Sequence, residues 1–268
     1  MRVRARYAKQ DRLRFVSAID LGRIWERALR KADLPIGYSE GFTPHPKISF
    51  PDALALGYAS TGEYVELTFA APVDVDAAVT AFNRAAPDGL RILDALAVDD
   101  GAPRFARWLR ASLWDLRYCY EEAAGLSDGV HGLASAEHLP VDRERKGTST
   151  RHDLKPALHA IVSHGDTVRV ALHHTEPPFR PSEVHQVLRH VSGAELHEPR
   201  LVTRIAQGSP EPSGLREALS GQLLPMVPGE HAVVASGTST AVPEHSAGPG
   251  PTKHVVDRLR QPEHRGHQ

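Results

Sequence analysis

Apolar Val3, Ala5 and Tyr7 alternate with Arg2, Arg4 and Arg6, the period-two pattern of a half-buried strand with one basic face. Lys9 to Arg12 reads as a polar turn, after which Leu13 and Phe15 resume the strand. The period then changes. Ser17 stands three positions before Asp20, an S-x-x-D helix start, and Leu21, Ile24, Trp25, Ala28, Leu29 and Ala32 recur at helical spacing until Pro35 stops the helix. Further on, Ile48 to Phe50 and Glu63 to Phe69 read as strands, with a small-residue turn at Gly57 between them. Asp74 to Ala86 reads as a helix striped by Val75, Ala78, Val79 and Phe82, and LRILDALAV as a closing strand. Strand, helix, strand, strand, helix, strand is the order of a ferredoxin-like βαββαβ sandwich, two helices covering one sheet face and leaving the other face or the loops for function.

A looser copy of that order follows. Arg104 to Leu109 predicts a short helix, a strand begins near Ala111, and another short helix closes at Ser135 to His138. LPVDRERKGTSTRHDLKPAL predicts a polar hairpin with Lys146 and Gly147 at its tip. Ala157 to Val162 and Val168 to His173 flank a turn at His164, Gly165 and Asp166. Pro181 opens a helix striped by Val184, Val187, Leu188 and Val191, and Leu201 to Ile205 forms a last strand. The expected architecture is α+β: tandem ferredoxin-like domains with antiparallel sheets over residues 1–98 and 103–205. A disordered tail is expected over 208–268, where 8 Gly and 8 Pro interrupt sparse apolar positions. Only Leu215 to Leu224 suggests a short amphipathic piece there.

Composition changes the picture in three ways. The 268 residues carry a formal net charge of -1, but residues 1–50 hold 11 Lys+Arg against 5 Asp+Glu while residues 51–100 hold 2 against 9. Either the first domain has a polarised, anion-facing surface, or the two sets pair across the fold. The single cysteine, Cys119, excludes an intrachain disulfide and a cysteine-held metal or cluster, and fits a cytoplasmic protein. No run of 18 apolar residues exists, so no membrane span is expected. The 16 histidines form no H-E-x-x-H motif, and His173 and His174 fall on opposite strand faces, so neither a metal nor a cofactor is expected.

The candidate chemistry gathers in YSEGFTPHPKISF, Tyr38 to Phe50. Pro44 and Pro46 exclude a helix and stiffen the loop around His45. Tyr38, Ser39, Phe42, His45 and Lys47 are the candidate binding residues, with His45 and Lys47 the candidates for catalysis. Arg23, Arg27 and Arg30, spaced by four and three on the outer face of the first helix, make a ridge able to grip a polyanion, with Glu26 placed to pair with Arg30.

The stretch RFVSAIDLGRIWERALRKADLPIGYSEGFTPHPKISFPDALALGYASTGEYVEL resembles the radical-SAM-linked proteins of unknown function, which occur alone or fused to the C-terminus of B12-binding radical SAM proteins. The likeness is dense from Arg14 to Leu67 and continues through ERKGTSTRHDLKP and FRPSEVHQVL. The loop motif is complete in Tyr38, Ser39, Gly41, Phe42, Pro44, His45, Pro46 and Lys47, whereas the helix-start motif keeps Phe15, Ser17 and Asp20 but has Ala18 where the family usually has histidine. The resemblance implies a partner relation to a radical SAM enzyme. One cysteine cannot supply the C-x-x-x-C-x-x-C ligands of such an enzyme's own cluster.

Three functions follow as expectations. The first is a non-catalytic accessory that recognises RNA, tRNA or rRNA, and presents it to a partner enzyme. The second is a protein-interaction scaffold that docks a radical SAM partner. The third is a metal-independent endoribonuclease-like enzyme with His45 as base and Lys47 as electrostatic partner, an idea drawn from the similar tandem plan of CRISPR repeat-processing endoribonucleases.

Overall fold

The computed structural model describes residues 1–226, apart from positions 53, 100, 146 and 194, together with the backbone of 233 and 234. Among the described residues it is a mixed α+β fold with four α-helices and a mostly antiparallel sheet.

The first half runs β1 (Arg2–Lys9), α1 (Ala18–Lys31), β2 (Ile48–Ser49), β3 (Ala59–Thr68), α2 (Val75–Ala85) and β4 (Leu90–Val98). These strands lie in the order β4-β1-β3-β2, every pair antiparallel. The second half runs β5 (Ala111–Arg117), α3 (Ala123–Ser135), β6 (Pro140–Arg145), β7 (Thr148–Asp153), β8 (Leu158–His164), β9 (Thr167–His173), α4 (Pro181–Ser192) and β10 (Leu201–Glu211). Leaving out the separate β6–β7 hairpin, its order is β10-β5-β9-β8, again antiparallel. The halves join where β10 pairs in parallel with β3, Thr203 against Ala59 and Arg204 against Ser60, so one sheet continues across both.

The apolar stripes explain the helices. Leu21, Trp25, Ala28 and Leu29 bury the inner face of α1, and Trp25 stacks on Phe82 of α2 at 4.3 Å with Tyr7 of β1 edge-on at 5.0 Å. In the second half Leu126, Val130 and Leu133 of α3 and Val184, Val187 and Leu188 of α4 close a second core over β5, β8 and β9.

Three expectations need correction. Leu13 and Phe15 do not resume a strand: Asp11 takes a left-handed φ of 51°, ends the ladder and starts a 3-10 turn over Asp11–Phe15. The basic face of β1 is not open, because residues 102–109 cross beneath it. Arg4 lies 5.1 Å from the Phe105 ring, donates to the Pro103 carbonyl and pairs with Glu66 at 2.8 Å, while Arg2 donates to the Ala102 carbonyl at 2.9 Å. Acidic β3 and basic β1 are thus partly paired across the fold. Nor is the tail structureless from Gly208. Residues 208–211 extend β10, and β11 (Gly214–Glu217) and β12 (Leu223–Pro225) fold back so that Leu215 and Met226 bury against Ala111, Leu113, Ala160 and Ala206. A β13 pair (Val233–Val234) adds to the β8 edge; the rest of the expected tail, like Lys146 at the hairpin tip, lies outside the described residues.

Candidate functional site

The first candidate surface is built by the start of α1. Ser17 caps the helix, its Oγ accepting the Asp20 amide at 3.1 Å, and the buried stripe then forces Arg23, Arg27 and Arg30 outward. Arg23 pairs with Asp20 at 3.1 Å and Arg30 with Glu26 at 2.8 Å, while Arg27 makes no ion pair among the described residues. All three arginines line an open groove of 800 Å³ whose apolar side is Phe15, Ile24 and Leu56. Phe15 is 62% exposed and the Arg14 guanidinium lies 4.6 Å from its ring. Ala18 is exposed at the first helical position, beside this groove.

The second is the loop. Tyr38 bridges to Pro46, the Ser39 amide donates to the His45 carbonyl at 2.8 Å, and the His45 amide donates to Ser39 Oγ at 2.9 Å. The Lys47 amide donates to Gly37 O at 2.7 Å and the Thr68 amide to Lys47 O at 3.0 Å, which docks the loop base on β3. The loop is therefore a closed, pinned turn, with Gly41 at φ 126° and Phe50 packed between Tyr7 and Trp25. Ser39 spends its oxygen on the turn itself. Tyr38 and the side chains of His45 and Lys47 are exposed, and Phe42 projects wholly into solvent. Among the described residues no hydrogen bond, ion pair or ring contact joins this loop tip to the arginine ridge, and the His45 ring has no hydrogen-bond partner. Sequence placed these residues in one candidate set; the fold makes two surfaces of them.

A third group carries no sequence motif of its own. At the β3–β10 junction Arg204, 4% exposed, donates to both Glu63 oxygens at 2.7 and 2.5 Å and to Asp52 at 2.5 Å, with its guanidinium 5.3 Å from the Trp114 ring. Burial alone lowers the Arg204 pKa, but Glu63 and Asp52 outweigh it and hold the group firmly protonated. Nearby Lys9 is buried, donates to the Val16 carbonyl at 2.9 Å, and has its pKa lowered, first by burial. This network fixes the ends of both motif stretches: Val16 through Lys9, and Asp52 through Arg204. The available signal was Glu63, a charge on the same strand face as Val65 and Leu67, where an apolar residue is due.

Among the described residues no three His, Cys, Asp or Glu side chains converge as a metal site, and no helix is long and apolar enough to cross a membrane. The chain matches the family model described as an uncharacterized protein conserved in bacteria (DUF2344) over residues 2–189, which takes in both candidate surfaces. It belongs to that family. Among curated proteins nothing matches it.

Proposed function

We propose that this protein is a non-catalytic RNA-recognition module, an accessory that binds structured RNA such as tRNA or rRNA and presents it to a radical SAM enzyme. The supporting observation is the α1 groove, which sets Arg23, Arg27 and Arg30 alongside exposed Phe15 and Leu56. Guanidinium groups supply phosphate affinity, and an exposed aromatic ring supplies a stacking platform for an unpaired base. Surface pairing of Arg23 and Arg30 is no obstacle, since such pairs are worth at most about 1 kcal/mol and yield to a phosphate. The radical SAM partner comes from the resemblance of Arg14 to Leu67 and of the Tyr38–Lys47 loop. In the same reading the two halves are tandem ferredoxin-like domains, since each lays its strands in the order fourth, first, third, second.

A second reading, a scaffold that docks the partner protein, is favoured by one observation: apolar Phe42 and Ile19 both stand largely exposed. Fluorescence anisotropy with a tRNA fraction, at salt from about 50 to 200 mM, separates the two. The RNA reading expects binding that falls steeply with salt, and a log-log slope reduced by about 2 to 3 in the R23Q/R27Q/R30Q variant. No binding at the lowest salt, or an unchanged slope, would refute it. Direct binding of a radical SAM protein would then support the scaffold.

A further inference from the structure

Beside the β3–β10 junction lies a second, smaller pocket of 180 Å³, against the ~10–15 Å³ that one water needs. Its wall brings together Arg14 from the first half, Tyr58 from the chain leading into β3, and Ser182, Glu198 and Arg200 from the second half. Two of the stretches that carry the family resemblance, Arg14-Phe15 and Phe179-Arg180-Pro181-Ser182, are far apart in sequence and meet here.

The chemistry of the wall is one of donors without acceptors. Arg14 is held by its backbone, whose carbonyl accepts the Gly57 amide at 2.8 Å, and by its stacking on Phe15; its Nε is buried with no hydrogen-bond partner. Arg200 makes no ion pair, and the hydroxyls of Tyr58 and Ser182 make no hydrogen bond, among the described residues. Tyr58 is nevertheless fixed, its ring edge-on to Trp114 at 5.7 Å. Among the described residues the one carboxylate on the wall, Glu198, is 79% exposed and has Oε1 3.4 Å from His185 Nε2. Two guanidinium groups against one exposed carboxylate leave a positive balance. Rigid forked donors and two hydroxyls match the oxygens of a tetrahedral anion.

We propose that this pocket binds a phosphate group, borne by a mononucleotide or by the end of an RNA chain, with Arg14 and Arg200 as charge partners and Ser182 and Tyr58 as hydroxyl donors. The proposal does not rest on the RNA reading of the α1 groove. The test is calorimetric titration of the full chain with inorganic phosphate, AMP, and a short RNA bearing either a 5′-phosphate or a 5′-hydroxyl. Inorganic phosphate and AMP should bind, and R14Q/R200Q should weaken both by at least about tenfold, the order expected for a lost charge-assisted hydrogen bond. R200Q alone, at an exposed position that leaves folding intact, should cost several-fold, and R91Q on β4, which lines neither this pocket nor the α1 groove, should change nothing. A gain for 5′-phosphorylated over 5′-hydroxyl RNA that disappears in R14Q/R200Q identifies the RNA end as the source; a gain for AMP alone identifies a nucleotide. No phosphate binding by the parent at about 10 mM, or equal binding by the double variant, would overturn the proposal. Ridge variants that abolish RNA binding while phosphate binding persists separate this site's fate from that of the groove.

Discussion

Replacing Arg204 with Met would leave Glu63 buried without its main counter-charge, because the Glu63 side chain is only 2% exposed. Counted as hydrogen bonds, the change removes three charge-assisted contacts at 2.5 to 2.7 Å, each worth about 1.5–3 kcal/mol. Their sum overstates the loss, because contacts that share partners are not additive. Breaking a buried pair by removing one partner typically costs ~3–5 kcal/mol. Urea denaturation of R204M should therefore show a loss of about 3–4 kcal/mol, and the double variant R204M/E63M should recover most of it, because two apolar side chains leave no stranded charge. Trp25 lies in the first core and Trp114 in the second, against Arg204, so fluorescence and circular dichroism transitions that coincide in the parent should separate in R204M. A loss below about 1 kcal/mol, or a double variant no more stable than R204M, would refute the assignment of the network as the structural junction.

Three further outcomes are expected. Gly62→Ala would set its Cβ 2.4 Å from Ala206 Cα across the same junction, an overpacking cost of about 1–3 kcal/mol measurable by the same denaturation. The Asn83 amide on α2 bonds both the N–H and the C=O of Ile92 on the edge strand β4, at 2.8 and 2.9 Å; Asn83→Ala should cost about 1–3 kcal/mol and raise light scattering by uncovering that edge. His173, His174 and His185 all have pKa values lowered, first by burial, so the unfolded chain binds protons ahead of the folded one. Stability should hold above about pH 6.5 and fall as pH drops below it, against the smaller opposite effect of exposed His138, and His185→Gln should flatten the slope in that window.

What was legible in the chain was whatever a local pattern encodes. The cap at Ser17, the stripes of α1, α2 and α4, the hairpin around Gly165 and the pinned loop at Tyr38–Lys47 all follow from neighbours within a few residues. Helix α3 was visible only at its end, because Gly125, Gly129 and Gly132 argue against a helix by propensity. Packing reverses that argument: a Cβ on Gly132 would lie 2.4 Å from Val191 Cγ1, and one on Gly129 2.9 Å from Ser192 Cβ, so glycine is what lets α3 approach α4. Residues 208–226 show in the sequence only a short amphipathic piece at Leu215 to Leu224, for a related reason: their few apolar side chains suffice only because small Ala111, Ala160, Ala171 and Ala206 admit them closely. The junction was beyond any local reading. Arg204 and Glu63 are 141 residues apart, and although Glu63 stands out on an apolar strand face, nothing near it in the chain names its partner. Only when the two halves share a sheet does Arg204 become the residue through which the second half fixes Asp52, and with it the chain that leads from the motif loop toward Leu56 and Tyr58, one on each candidate pocket. A binding surface whose residues come from one half is thus shaped by the other, which is why neither half is expected to present it alone.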